Sequence, residues 1–530
     1  MSVLAAVALA AGLAATGLAS VRWLRVAQRE HYLAGAVTRF ASRWWRCDAA
    51  HAVALLAALA GASAAVVTPG AGLVSAVVAA SGPRGLTLRG RTGKLVWTAR
   101  LRRLAAVLAL LVSAAVGGAG AVAGLGGSAA AAALSAILTP TLLDAALAIV
   151  APYEARVLRR FVSSARRRLE LVRPTIVGIT GSYGKTTTKG YVAHLLAGRY
   201  TVVRSPRSFN NQAGLARTVN ELLVPGTDVL VAEMGAYGPG EIAALCEWLP
   251  PKVAVITAIG PVHLERFKSL RRTLAAKAEI TTRADTVVVN VDDDLLAELA
   301  RQLEGEGRRV LRCSARDEQA DVCVLVTGPS WSVRVAGCQC AEVAFPGDRE
   351  PGSATNVACA VGVALALGVP LQEIAQRLPN LPVAESRLQV AGGGEGPVVL
   401  DDTFNANPAG AALALRRLTE IGRRLGGRMV VVTPGMVELG PIQARENAAF
   451  ARSAAAVATD LVIVGATNRR ALLAGARSAQ AGRGERADGP SAAPAIVTVP
   501  NREAAVAWVR AALTAGDVVL YENDLPDHYP

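Results

Sequence analysis

The densest chemistry in the sequence is the run Gly178-Ile179-Thr180-Gly181-Ser182-Tyr183-Gly184-Lys185-Thr186-Thr187. Glycines let backbone N–H groups curl around an anion, the lysine that follows reaches terminal phosphates, and a threonine hydroxyl is a hard oxygen suited to Mg²⁺. The spacing departs from the commonest Walker A form, which would place a glycine at Ile179. The flanks supply the required context: residues 175–179 are an apolar strand signal and residues 187–196 have helical character, so the loop opens onto a helix N-terminus whose dipole favours phosphate. Thr180, Gly181, Ser182, Tyr183, Gly184, Lys185, Thr186 and Thr187 are the expected ATP-binding residues.

Acids and bases downstream add to this. Glu233 ends the buried-strand run 230–233, and Mg²⁺ bound with phosphate takes one or two carboxylates. Glu241 reads equally as a charge at a helix N-terminus. His263 and Lys277 follow within a short span. No Ser/His/Asp or Cys/His set suggests a protein nucleophile. The seven cysteines (47, 246, 313, 323, 338, 340 and 359) include no C-x-x-C pair and read as reduced, small apolar residues.

Taken in order, these segments resemble the Mur ligases, which build the peptidoglycan stem peptide, and within them the branch that adds D-alanyl-D-alanine. The loop at 178–187 looks like their ATP loop, residues 208–214 like their Asn-Asn loop, 230–242 like "E-M-G-x-x-x-x-G-E-I", 256–269 like "G-P-A-H-L-E-x-F-x-S" and 276–280 like "A-K-x-E-I". The resemblance implies two Mg²⁺ ions with Thr186, Glu233, His263 and Lys277 as ligands, Lys277 acting as a carbamate. It implies catalytic roles for Lys185, His263, Lys277 and Arg387, the last within Ser386-Arg387-Leu388 where the family has "G-R-L". Asn356 matches the last Asn of "H-N-x-x-N", implying an adenine contact, although Gly352 and Ser353 replace the expected His-Asn pair. The segment 401–408 is similar to "D-D-x-Y-N-A-N-P", with Phe404 for Tyr, and implies Asp402 on the nucleotide ribose. Asn210, Asn211, Asn405, Asn407 and Asp524 are the expected substrate contacts. Residues 433–440 are similar to "G-D-M-x-E-L-G", with Asn447 where a His is expected. At the end Glu522 and Asp524 stand where the family has a basic strand end, so the incoming amine is expected to present a different charge.

These residues need elements to position them. After residue 382, apolar segments at 398–402, 429–433 and 460–464 alternate with helical segments at 408–424 and 444–456, the pattern of a doubly wound, mostly parallel sheet. The expected fold is α/β: a helical transmembrane region at 1–173, a P-loop-type central ATPase domain at 174–382 and a Rossmann-like C-terminal domain at 383–530.

The N-terminal part differs in composition. Residues 1–173 hold twenty Lys/Arg against five acids, which accounts for the whole net charge of +15; the remainder is neutral. The basic residues cluster at 22–46, 84–103 and 156–173, each beside an apolar stretch, which is the positive-inside signature of a membrane protein and argues against a nucleic-acid partner. Residues 1–21 read as a membrane anchor. Residues 49–81 and 104–151, interrupted by Thr68-Pro69-Gly70 and by glycines at 124–127, read as helical hairpins. One helix and two hairpins leave all three basic clusters on the cytoplasmic side, with the catalytic domains. The first hairpin has short arms, so a single long helix or a re-entrant pair stays open.

The sequence therefore predicts an ATP-dependent carboxylate–amine ligase in a cell membrane, acting through an acyl phosphate on a small-molecule or lipid-linked peptidoglycan precursor and an amine. Residues 1–173 stand where soluble Mur ligases carry a domain that grips a UDP-sugar. An anchored ligase making another amide polymer, such as polyglutamate, and a P-loop ATPase driving transport are the rival readings. The last would need polar groups inside the apolar helices, which hold almost none.

Overall fold

The computed structural model describes residues 2–47, 49–83, 86, 88, 95–206, 209–327, 330–337, 341–344, 354–382, 389–392, 396–403, 407–484, 494–523, 525 and 529. Arg387, Asn405 and Asp524 lie outside the described residues.

The N-terminal region is helical: α1 (Ser2–Arg29), α2 (Ala36–Trp45), α3 (Ala49–Ala64), α4 (Ala71–Ser81) and α5 (Ala99–Val172). The expected single helix and two hairpins are present. Helices α3 and α4 fold back on each other through the turn at 65–70, with Ser75 Oγ donating to the Ala58 carbonyl. At 16 and 11 residues their arms rise only about 24 and about 17 Å, less than the ~30 Å hydrocarbon thickness. Helix α5 is broken at Ala123 and Gly124, where Gly124 has φ 62° and ψ −156°, a region essentially reserved for glycine. The break folds α5 into two arms, so that Arg103 near its start pairs with Glu154 beyond the break at 2.7 Å. Only α1 and α5 are long and apolar enough to cross a membrane among the described residues. Small residues let these helices approach closely: a Cβ on Gly12 would lie 2.9 Å from that of Ala132. Most of the exposed large apolar side chains of the chain lie in this region, Val3, Leu13, Leu56, Leu110 and Val122 among them.

Described parts of the first two basic clusters meet at one end of this bundle. Arg22 donates to the last carbonyls of α4, at Ala79, Ala80 and Ser81, where a cation also complements the helix dipole. Gln28 bonds the backbone of Val96 in both directions, and the Arg100 guanidinium lies 4.2 Å over the Tyr32 ring. The stretch 156–172, charged enough to pass for a linker, is instead the continuation of α5. Its apolar face (Val162, Ala165, Leu169) packs into the core of the following domain.

That domain runs β1 (Thr175–Thr180), α6 (Lys185–Leu196), β2 (Val202–Arg204), α7 (Gln212–Leu222), β3 (Val229–Glu233), α8 (Glu241–Trp248), β4 (Val253–Ile256), α9 (Leu264–Phe267), α10 (Leu270–Ala278), β5 (Thr286–Asn290), α11 (Asp294–Gly305), β6 (Arg309–Ser314), β7 (Val322–Thr327), β8 (Ser330–Val335), β9 (Ala341–Ala344), α12 (Ala354–Ala366) and α13 (Leu371–Arg377). One sheet has the order β2-β3-β1-β4-β5-β6-β7-β8-β9, parallel as far as β7 and antiparallel at β8 and β9. The continuous Val/Ile runs of β1, β3, β4 and β5 are buried on both faces, as a parallel sheet covered by helices requires. Strand β1 lies between β3 and β4, where the strand order changes direction, which makes its C-terminal end a topological switch point.

The last domain comprises β10 (Gln389–Gly392), β11 (Val398–Asp402), α14 (Pro408–Leu425), β12 (Met429–Thr433), α15 (Gln443–Val457), β13 (Asp460–Val464), α16 (Arg469–Gly484), β14 (Ala495–Val499), α17 (Arg502–Ala512) and β15 (Val518–Glu522). Its order β10-β11-β15-β12-β13-β14 is parallel except at β10. Of the five described cysteines, all free, Cys246, Cys313, Cys323 and Cys359 are buried, consistent with their reading as apolar residues.

Candidate active site

The glycine loop follows β1 at the switch point. Gly181 has φ 148°, and a Cβ there would sit 2.0 Å from Thr257 Oγ1; at Gly184, φ 79°, it would sit 2.4 Å from Asn356 Oδ1. Both positions thus require glycine on backbone and on packing grounds. The loop is tied to the end of β4: Ser182 N donates to the Ala258 carbonyl at 2.7 Å, and Ser182 Oγ accepts from Gly260 N at 2.9 Å. Gly260 in turn leaves room for the Tyr183 ring. Lys185 Nζ donates to the Gly181 carbonyl at 2.8 Å, which holds its ammonium over the loop. Thr187 lies half-buried in the first turn of α6, and Thr180 is buried at the end of β1. Asn356 packs against Gly184, the residue before α6.

Glu233, the last residue of β3, lies beside the loop with 1% of its surface exposed. Thr186 Oγ1 donates to its Oε2 at 2.9 Å, Lys189 Nζ pairs with the same oxygen at 3.0 Å, and Asn210 Nδ2 donates to Oε1 at 3.2 Å. Lys189, one helical turn on from Lys185, was not among the expected site residues, since only the fold reveals that it points at Glu233. The donor set, one carboxylate and one hydroxyl beside an anion loop, fits Mg²⁺ completed by phosphate oxygens and water. Among the described residues no three His, Cys, Asp or Glu side chains gather into a metal-holding group.

Lys277, on α10, is buried; burial, and then the nearby Lys185 charge, pull its ammonium down to about 7. Glu279 next to it is occupied elsewhere, accepting from Gly240 N and Ala243 N at the start of α8.

His263, in the left-handed region at φ 56°, opens α9. Its Nδ1 meets Glu438 Oε2 of the C-terminal domain, and Glu265 N donates to the Glu438 carbonyl at 3.1 Å. Arg266 lies between Glu438 and Glu30, the latter at 3.3 Å, and the Tyr237 ring stands edge-on to His263 with centroids 4.9 Å apart. Tyr237 Oη is also 3.2 Å from His31 Nε2. The basic end of the helical bundle, the central domain and the C-terminal domain therefore meet at His263. The motif at 433–440 contains Glu438, but its partner across the domain boundary is a tertiary fact.

In the C-terminal domain Asp402 and Glu522 are register partners at the C-terminal ends of the parallel β11 and β15. Glu522 is fully buried, and desolvation with the Asp402 charge pushes it up to about 8. Two expected substrate contacts have local work: Asn211 Oδ1 caps α7 by accepting from Gly214 N at 2.9 Å, and Asn407 Oδ1 caps α14 by accepting from Gly410 N at 2.9 Å.

Residues 179–364 match the Mur ligase middle domain, and residues 386–521 match the Mur ligase, glutamate ligase domain. The chain belongs to the Mur ligase family. It is accordingly an ATP-dependent amide-bond ligase. It is 36% identical over 359 residues to the UDP-N-acetylmuramoyl-tripeptide--D-alanyl-D-alanine ligase of Mycobacterium tuberculosis, covering 65% of this chain and 69% of that one. The Bacillus subtilis ligase of the same name is 30% identical over 287 residues, covering 53% of this chain and 60% of that one. Among solved structures, the MurF ligase of Thermotoga maritima in complex with ADP superposes with a TM-score of 0.54 at 25% identity, over 69% of this chain and 80% of that one. MurF of Acinetobacter baumannii shares the fold, with a TM-score of 0.58 at 23% identity over 69% of this chain and 77% of that one. The helical region at 1–173 precedes both matched domains of this Mur ligase.

Proposed function

We propose that this Mur ligase joins the terminal carboxylate of a peptidoglycan stem-peptide precursor to D-alanyl-D-alanine at the cytoplasmic face of a membrane. The observation that carries this reading is the convergence of Lys185, Thr186 and Glu233 at the glycine loop after β1. The substrate carboxylate attacks the γ-phosphate of ATP and releases ADP; the amine then attacks the acyl carbon of the resulting acyl phosphate, forming the amide and expelling inorganic phosphate with loss of a proton. Lys185 and the loop N–H groups balance the charge on the transferring phosphoryl group, and positioning carries the rest. Mg²⁺ held by Thr186 and Glu233 would add further positive charge at the phosphates. A second ion at His263 and a carbamate on Lys277 belong to this proposal, with Arg387 on the phosphates and Asp402 on the ribose.

Membrane placement is supported by the two apolar helices of sufficient length, the outward apolar side chains and the sequence position of the basic clusters beside the apolar stretches. Product identity tests the substrate assignment. Mass spectrometry of reactions containing UDP-muramoyl-tripeptide should show an amide with D-alanyl-D-alanine and none with glutamate; the reverse would favour an amide polymer.

A further inference from the structure

Helix α2 has two faces. Ala36, Val37, Phe40, Ala41 and Trp44 are buried against the bundle. Arg39, Arg43 and Arg46, at i, i+4 and i+7, share the other face. Arg39 and Arg46 are exposed and Arg43 is half-buried. This face lines a groove of about 560 Å³ together with Thr38, Ser42 and Asp144.

The one carboxylate in the groove is already satisfied. Asp144 accepts from Gly35 N at 3.1 Å, Thr38 N at 2.9 Å and Thr38 Oγ1 at 2.6 Å, which also uses the free N–H groups at the start of α2. Arg46 bonds only within its own helix, to Ser42. Arg43 pairs with Glu265 and lies over the Phe40 and Tyr529 rings, so it fixes α2 to the central domain. Arg39 makes no hydrogen bond or ion pair with any described residue. The groove is thus a concave surface on which the guanidinium groups of Arg39 and Arg46 are matched by no acid, its one carboxylate being held by the start of α2, and this is the chemistry that recognises phosphate.

Its location gives the ligand a direction. A second cavity of about 510 Å³ shares Arg39 and Arg43 and runs past Arg266 and Tyr237 to Glu438, which contacts His263. Successive arginines on one helix face stand about 6 Å apart at Cβ, close enough for two to hold one diphosphate.

We propose that the Arg39–Arg43–Arg46 face of α2 binds the diphosphate ester of the acceptor, whose peptide then runs through the second cavity to the ligase cleft. The proposal rests on the acceptor assigned above. Two sources share the chemistry, a nucleoside diphosphate and a polyprenyl diphosphate whose chain enters the bilayer beside α5.

The test is direct binding to the full-length protein in phosphatidylcholine nanodiscs, without adenine nucleotide, amine or turnover, with Lys185→Ala run in parallel to subtract any binding at the glycine loop. It therefore fails or succeeds independently of the amide chemistry. The probes are UDP and a polyprenyl diphosphate incorporated in the disc. Wild-type protein should bind at least one of them, and Arg39→Ala/Arg46→Ala should weaken that binding roughly tenfold or more at unchanged circular dichroism. Arg46→Glu alone, at the exposed end of the helix, should weaken it as well. Binding of UDP alone assigns a nucleotide-linked acceptor, and binding of the polyprenyl diphosphate alone a lipid-linked one. Failure of the wild type to bind either, or equal binding by the variants, overturns the proposal.

Discussion

At the residue scale, the functional load falls on a few buried charges whose environment alters their chemistry. Lys277 shows how: burial and the Lys185 charge favour the neutral amine, and a neutral amine is the form that adds CO₂, losing a proton to become a carbamate. Turnover should accordingly rise as pH increases through about 7, fall on bicarbonate depletion and vanish in Lys277→Ala. Full activity of Lys277→Ala would refute the assignment. Much of this scale was legible beforehand, because the loop glycines, Lys185 and Thr186 stand between a strand signal and a helical segment, and Glu233 ends an apolar strand run. Lys189 was not, since a lysine on the first turns of a helix reads as solvated until β3 is placed beside it. Nor was the capping work of Asn211 and Asn407, which depends on where the helices begin.

Elements explain how separate parts reach one cleft. Strands β11, β12 and β13 could be read from sequence because each is an apolar run, followed in turn by a helical repeat. The extension of α5 over 156–172 could not, since its arginines mask the apolar face formed by Val162, Ala165 and Leu169, which becomes visible only against the central domain. The other unforeseen element contact is the clasp between α9 and the loop carrying Glu438. If this clasp holds the two ligase domains in register for acyl transfer, Glu438→Ala should lower kcat roughly tenfold to a hundredfold, the effect of losing one charged hydrogen bond. Affinity for ATP, whose proposed contacts are the glycine loop and not Glu438, should change little. An unchanged kcat measured in steady state would remove the clasp from the mechanism.

For the whole molecule, the charge distribution and the fold give the same picture: a basic, apolar helical bundle meets two electrically neutral α/β domains at the end where its arginines collect. The sequence revealed this division through composition, but not that Glu30, His31 and Arg43 of the bundle touch Arg266, Tyr237 and Glu265 beside the cleft. That contact makes the bundle part of the ligase, where composition alone suggested only an anchor. The central claim is that ATP is spent on amide formation. It is tested most directly by measuring phosphate and amide together in the reconstituted full-length protein. The account predicts phosphate released one-for-one with amide, and only when acceptor carboxylate and amine are both present; sustained phosphate release without either substrate would contradict it.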